Sequence, residues 1–261
     1  MARIALGLEY NGSAFCGWQS QTGGCAVQDA VEAALAQIAG EKVTLTAAGR
    51  TDTGVHALAQ VAHFDSRAER PASAWVRGAN ALLPSDVAIL WAHEVAGDFH
   101  ARFSAIERCY RYLLLNTAVR PALYKNQVGW FHQPLDVGAM REAAKLLLGK
   151  HDFSAFRAAE CRARTPVKEL RRVEITRQQD LIMFEFCADA FLHHMVRNIV
   201  GCLGYVGSGR CTAQWLSEVL QSRDRNRAAP TFSAAGLYLS GVRYDAKWRI
   251  ADFNRTMLLF P

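Results

Sequence analysis

Gly49-Arg50-Thr51-Asp52-Thr53-Gly54-Val55-His56-Ala57 is the stretch around which this 261-residue chain is organised. Before it, Val43-Thr44-Leu45-Thr46-Ala47-Ala48 alternates apolar and small or polar side chains. After it, residues 57–64 are apolar-biased and free of Gly and Pro. A period near two marks both as strands. Asp52 then sits on a tight loop between two strands of one sheet. Gly49 and Gly54 bracket the loop, reach backbone angles closed to other residues, and let a neighbour come close. A rigid loop presenting one carboxylate, with Arg50 two residues away, suits chemistry. The same local pattern also fits a hairpin whose Asp satisfies its own turn amides.

Working outward, residues 3–10 read as a strand and Asn11-Gly12-Ser13 as a turn. Residues 26–39 read as a helix, because Val27, Val31 and Leu35 recur every four positions, as do Ala30, Ala34 and Ile38. Gly40 is a natural stop. Pro71 can open a second helix, with Trp75, Ala79, Leu82 and Leu83 on one side, and residues 87–95 form a further strand. The order is β-α-β-β-α-β, a ferredoxin-like unit.

The second half repeats that order with longer connections. The spacing predicts strands over 107–116, 167–176, 181–187 and 236–244, and helices over 137–148, 191–205 and 215–221. Residues 117–135 and 157–166 read as irregular. The expected fold is therefore α+β: two βαββαβ units, residues 1–105 and 106–261. Such units can join into one continuous, mostly antiparallel central sheet, with helices packed on it and a cleft between them.

In the predicted helix 191–205, Leu192, Met195, Val196, Ile199 and Leu203 form an apolar stripe, while Arg197, Gly201 and Gly204 share another face. Each Gly inside a helix costs about 1 kcal/mol relative to Ala. Two in register imply close approach of another element, or, for Gly204, a helix end. If an element does come close, Arg197 points into that contact and needs a carboxylate there; Asp52 is a candidate.

Apolar residues make up 51% of the chain and charged residues 21%, enough for a core and too ordered a balance for a disordered chain. No apolar run reaches the roughly 18–20 residues of a membrane span, and the first residues lack a signal peptide's apolar region. Seven cysteines lie at 16, 25, 109, 161, 187, 202 and 211, with no C-x-x-C pair. Cys187 and Cys202, in apolar runs, read as buried thiols, and the expected compartment is the reducing cytoplasm. The net charge of +6 is uneven. Residues 1–105 hold 7 Lys/Arg against 10 Asp/Glu, a net of −3, whereas residues 106–261 hold 23 against 14, a net of +9. Arg157, Arg162, Arg164, Lys168, Arg171, Arg172 and Arg177 face three acids within 157–177, and Arg223, Arg225 and Arg227 form a second cluster. That balance points to a polyanion such as nucleic acid.

Several chemistries are excluded by motif. Gly12 to Gly17 is followed by Trp18-Gln19 rather than Lys and Ser/Thr, so it is no P-loop. No G-x-S-x-G or H-E-x-x-H occurs. Nothing implies an organic cofactor, and no metal is expected, although Asp52, His56 and His63 could be imagined as a metal-dependent RNA hydrolase.

The full set of strings resembles the bacterial tRNA pseudouridine synthase A family over nearly the whole chain. Those strings are Tyr10-Asn11-Gly12-Ser13-Ala14-Phe15-Cys16-Gly17-Trp18-Gln19, Val27-Gln28, the Asp52 stretch running into Gln60-Val61-Ala62-His63-Phe64, Arg108-Cys109-Tyr110-Arg111-Tyr112, His151-Asp152-Phe153-Ser154-Ala155-Phe156, Phe191-Leu192-His193-His194-Met195-Val196-Arg197-Asn198 and Gly236-Leu237-Tyr238-Leu239. The resemblance implies the pseudouridine synthase fold and isomerisation of uridine to pseudouridine in the tRNA anticodon stem-loop, at tRNA positions 38, 39 and 40. It implies a homodimer, a tRNA partner and no cofactor. By matching position, Asp52 resembles the catalytic aspartate, Tyr110 the tyrosine that packs on the target uracil, Arg197 the cation paired with Asp52, and Arg50 the arginine that holds the nucleotide flipped out. Arg162, Arg164 and Lys168 are the expected phosphate-tracking residues.

Three departures stand out. Thr53 replaces the family's usual Ala, Cys109 a more usual aromatic or polar residue, and Pro230-Thr231-Phe232-Ser233-Ala234-Ala235 the usual Pro-Thr-Ala-Pro-Pro. None removes an expected catalytic group. A catalytically silent RNA-binding module of the same fold is the remaining alternative to a synthase or a hydrolase.

Overall fold

The computed structural model describes residues 1–161, 163–251 and 253–255. In chain order the elements are β1 (Ala2–Tyr10), α1 (Val27–Ala39), β2 (Thr46–Ala47), β3 (His56–Ser66), β4 (Val87–Val95), β5 (Ala105–Asn116) and β6 (Gly129–Phe131). They continue with α2 (Val137–Lys145), β7 (Gly149–Asp152), β8 (Val167–Gln178), β9 (Leu181–Ala188), α3 (Met195–Gly207), α4 (Ala213–Ser222), β10 (Leu237–Tyr244) and β11 (Phe253–Asn254). No helix among the described residues is long and apolar enough to cross a membrane. The described residues group into two compact units, Met1–Glu107 with those from Tyr238 onward, and Arg108–Leu237.

In the first unit β1 lies between β4 and β3, antiparallel to both, and its residues 4–8 are buried on both faces. Val27, Val31, Ala34 and Leu35 bury one side of α1. Gly40 closes that helix at φ +69°, donating its N–H to the Ala36 carbonyl. The helix expected after Pro71 forms with a π-type stretch at Ala74–Gly78 and packs against α1 and β4. Trp18 and Trp75 are fully buried anchors, and the Trp91 ring lies across Gly7, where any Cβ would clash. The expected boundary at 105/106 needs a correction at its far end. The described residues from 238 onward belong to this unit because β10 pairs in parallel with β3, Tyr238 opposite His56 and Leu239 opposite Ala57, and β11 pairs with β10.

In the second unit β5, β9, β8 and β7 form an antiparallel run in that order, and β6 adds to β5 in parallel. Phe184 and Phe186 of β9, with Tyr112, Phe153 and Phe156, are its largest fully buried side chains. Helix α2 packs against β8, α3 and α4. Each unit is α+β, but the second departs from the expected order: β10, expected to close it, pairs into the first unit, and β6 and β7 are strands that the spacing did not predict.

Two expectations are corrected here. Helix α3 starts at Met195, not Phe191, because His194 adopts φ +62°, a left-handed conformation that a helix interior excludes. It also runs past Tyr205 to Gly207. Cys187 is buried but is not a thiol: the β5–β9 register sets it opposite Cys109, and the two are disulfide-bonded. Cys16 and Cys25 form a second disulfide. Free thiols remain at Cys161, Cys202 and Cys211, and burial pushes that of Cys202 up to about 11. The inference of a reducing compartment from unpaired cysteines therefore falls.

Candidate active site

Asp52 is half-buried on the loop that joins β2 to β3, and the residues around it are fastened from below. The Thr51 carbonyl accepts the Trp18 N–H at 3.0 Å, and the Thr51 hydroxyl lies 2.7 Å from the Tyr10 hydroxyl. The Gln60 Nε2 donates to the Gly49 carbonyl at 2.6 Å. Val55 N–H donates to the Asp52 carbonyl, closing a turn in which Gly54 takes φ +76°. On the other side of that turn, Gly12 N–H donates to His56 Nδ1 at 3.0 Å. The segment 10–18 thus grips the loop at both ends. Arg50 and Thr53 stay exposed on the same loop.

The two histidines of the imagined hydrolase are committed to structure. His56 is 2% exposed, its Nδ1 accepts from Gly12, and its ring stacks on Tyr238 with centroids 4.5 Å apart. His63 Nδ1 accepts the Ala101 N–H, and a hydrogen bond with the Thr46 backbone holds the ring from another side. Burial, with the Arg3 charge second, pushes the His63 pKa down to about 4, so the ring is neutral at pH 7. Lone pairs already accepting amide protons are not offered to a metal, and the hydrolase reading loses its ligands.

In the second unit Tyr110 lies on β5 and is buried, with Phe191 meeting its ring edge-to-face at 5.0 Å and 81°. Phe191, in the turn before α3, fixes the ring plane. Arg197 is half-buried on α3 and donates its Nε–H to the Phe232 carbonyl at 2.8 Å, while Phe232 N–H returns a bond to the Arg197 carbonyl. The predicted close approach to this helix is real. A Cβ at Gly201 would stand 2.5 Å from the Pro230 carbonyl. Gly204 meets only the Phe131 ring at ordinary contact distance and does not end the helix. Asn198, fully buried, ties the same stretch down by accepting from the Thr231 hydroxyl and donating to the Phe156 carbonyl. The run that departs from the family pattern is thus the one that seats Arg197.

Of the basic residues, Arg164 is exposed, and Arg162 lies outside the described residues. Lys168 is 8% exposed and donates to the carbonyls of Thr165 and Val167, so its charge faces protein oxygens and its assignment to phosphate tracking is withdrawn. The signal was available, since Lys168 shares a face of β8 with buried Leu170, two residues on. Arg157 braces its own loop through the carbonyls of Cys161 and Ala163, and Arg172 and Arg111 both pair with buried Glu185. Tyr10, Thr51 and Gln60 carry the support of the loop, and the sequence pattern did not single them out.

These placements can be set beside known proteins. The profile of the family described as tRNA pseudouridine synthase matches residues 7–104 and 143–245, which include Asp52 and Arg197 and leave out Tyr110. The chain is 62% identical over 252 residues to tRNA pseudouridine synthase A of Thiobacillus denitrificans, covering 97% of each chain. It is 60% identical to that of Chromobacterium violaceum, covering 95% of each, and 56% identical to that of Nitrosomonas europaea, covering 97% of this chain and 93% of the other. With its two α+β units matched along nearly their whole length, the chain belongs to the tRNA pseudouridine synthase family.

Proposed function

We propose that this protein isomerises uridine to pseudouridine in tRNA, at positions 38, 39 and 40 of the anticodon stem-loop, with Asp52 as the reacting carboxylate. One observation carries the assignment of Asp52: a half-buried carboxylate stands on a loop whose flanking residues are held by hydrogen bonds at both ends. That is how a reacting group is kept in a productive geometry.

The reaction breaks the bond from ribose C1′ to uracil N1, turns the base, and rejoins it through C5. The target nucleotide must leave its stack, at a cost of a few kcal/mol that is least in a loop. Tyr110, held edge-on by Phe191, recovers part of this by stacking on the base, worth about 1–3 kcal/mol. Arg50, exposed on the Asp52 loop, holds the flipped nucleotide. Asp52 acts ionised, either attacking C1′ or removing a sugar proton. Arg197 supplies the positive charge that favours that state. Arg164 tracks phosphates. The enzyme works as a homodimer in the cytoplasm, where its tRNA substrate resides, and needs no cofactor.

The test is tritium release from tRNA carrying 5-[³H]uridine, with wild type beside Asp52→Asn, in excess EDTA. Isomerisation must expel the C5 hydrogen. Release by wild type and none by the variant is the expected result. No release from a folded wild type that binds tRNA would leave a silent binding module. RNA breakage that the chelator abolishes would indicate a hydrolase.

A further inference from the structure

Tyr10, Thr51 and Gln60 form a buried polar cluster in the first unit. They are 4%, 7% and 0% exposed. The Tyr10 hydroxyl sits 2.7 Å from Thr51 Oγ1, and Gln60 Nε2 approaches the same hydroxyl at 3.4 Å while donating to the Gly49 carbonyl at 2.6 Å. Burial pushes the Tyr10 hydroxyl up to about 12, so it keeps its proton at any working pH. Tyr10 comes from the end of β1, Gln60 from β3 and Thr51 from the loop, so the cluster joins two strands to the residue next to Asp52.

The strand pairing is bent to make this possible. Leu8 pairs with Gln60, and a regular ladder would then set Tyr10 opposite Leu58. Tyr10 instead pairs with Ala57, a one-residue shift. Such a bulge turns a side chain in a new direction and recurs beside active sites. Here it accompanies a Tyr10 hydroxyl that reaches Thr51. Trp18 packs its ring against Tyr10 and donates its backbone N–H to the Thr51 carbonyl, so Thr51 is held by both its side chain and its main chain. At Gly17, φ is +99° and a Cβ would lie 2.8 Å from the same carbonyl.

We propose that Tyr10, Thr51 and Gln60 are positioning residues for Asp52, acting as a buried tether that fixes the backbone immediately before the reacting carboxylate. The proposal rests on the reading of Asp52 given above. Hydrogen bonds inside the core add little net stability, and replacing both partners of one with apolar groups of the same shape is close to neutral, whereas removing one partner leaves the other unsatisfied. Stability and positioning therefore respond differently to single and paired substitutions, and that difference is the test.

The experiment compares Tyr10→Phe, Thr51→Val, the Tyr10→Phe/Thr51→Val pair, Thr51→Ser and Asp52→Asn in the full chain, reading kcat and KM by tritium release and Tm by thermal melting. The single variants should lose roughly ten- to a hundredfold in kcat, the scale set by a misplacement of about 1 Å, with KM within about twofold. Thr51→Ser, which keeps the hydroxyl, should retain most of kcat. The paired variant should regain the Tm lost by the singles without regaining kcat. Recovery of kcat together with Tm in the pair would reduce the cluster to a structural role and overturn the proposal. So would wild-type kcat in the singles beside an inactive Asp52→Asn. An active Asp52→Asn would instead remove the reading on which the proposal stands.

Discussion

Replacing Gly12 by Ala asks how rigid the Asp52 loop is. A Cβ built on Gly12 stands 2.0 Å from the Val55 carbonyl oxygen and 2.6 Å from its carbon, where ordinary contact begins at 3.4 Å. About 1.4 Å must be found, and both partners are backbone, so no side chain can swing aside. Gly12 cannot retreat without stretching its 3.0 Å hydrogen bond to His56 Nδ1. Val55 cannot retreat without disturbing the turn in which its N–H reaches the Asp52 carbonyl at 3.1 Å. Forced overpacking of this kind costs about 1–3 kcal/mol, partly offset by the about 0.4–1 kcal/mol that Ala gains over Gly through the unfolded chain. At roughly 2–4 °C per kcal/mol for a protein of this size, Tm should fall by several degrees. If the strain is relieved through Val55, Asp52 moves with the turn, and a shift near 1 Å lowers kcat by about a hundredfold. The assay is tritium release at saturating tRNA beside a thermal melt, with Gly97→Ala as control because nothing lies within 4 Å of a Cβ there. A variant with lowered Tm and wild-type kcat would show that the loop yields without moving the carboxylate. Wild-type values of both would show that the close approach constrains nothing.

Four further outcomes follow from the same geometry. His63 titrates near 4 in the folded protein because it is buried, against about 6.5 unfolded. The unfolded chain therefore binds more protons between those values, and about 3 kcal/mol of stability present above pH 6.5 is lost as pH falls toward 4; His63→Gln should flatten that slope in melts across the range, and an unchanged slope would refute it. Alkylation of the denatured, unreduced protein should label three cysteines, rising to seven after reduction, and labelling of seven at once would deny the disulfides. Arg164→Ala should reduce the salt slope of tRNA binding by about one, while Lys168→Met should leave it unaltered because that ammonium faces carbonyls; the reverse result would place the basic surface elsewhere. Arg197→Met should abolish turnover with a modest loss of tRNA affinity, and retained turnover would remove Arg197 from the site.

The long elements were legible because each carries its own period. Helix α1 shows Val27, Val31 and Leu35 four apart, and its Gly40 stop takes the left-handed angle that such a stop requires. The strands β3 and β9 run through apolar stretches without Gly or Pro. What escaped was short or non-local. Strands β6 and β7 span three and four residues, too few for a period to register. The start of α3 is displaced because the apolar stripe continues through Leu192 into a turn, and nothing in composition marks His194 as left-handed. The parallel pairing of β10 with β3 joins residues some 180 positions apart, and no local pattern encodes it.

The candidate site divides along the same line. Asp52 was legible because glycines punctuate its loop, and a single carboxylate between two strands invites attention. Its support was not, because β3 is buried on nearly every residue and alternation loses its meaning there. Gln60 follows Ala59 and precedes Val61, all three buried, so its polarity reads as an exception and not as a signal. Its partner Tyr10 is 50 residues away and reaches the loop only through a shift in register. Charge was misleading for a related reason. The sequence counts arginines, but Arg172 is paired with the Glu185 carboxylate, which offsets its charge, and Arg157 and Arg177 are tied by hydrogen bonds to carbonyls of the protein itself. Composition thus bounds the partner, while the placement of each cation decides which residues can touch it. Arg164, exposed in a stretch where most of its basic neighbours are engaged, is where that distinction can be measured.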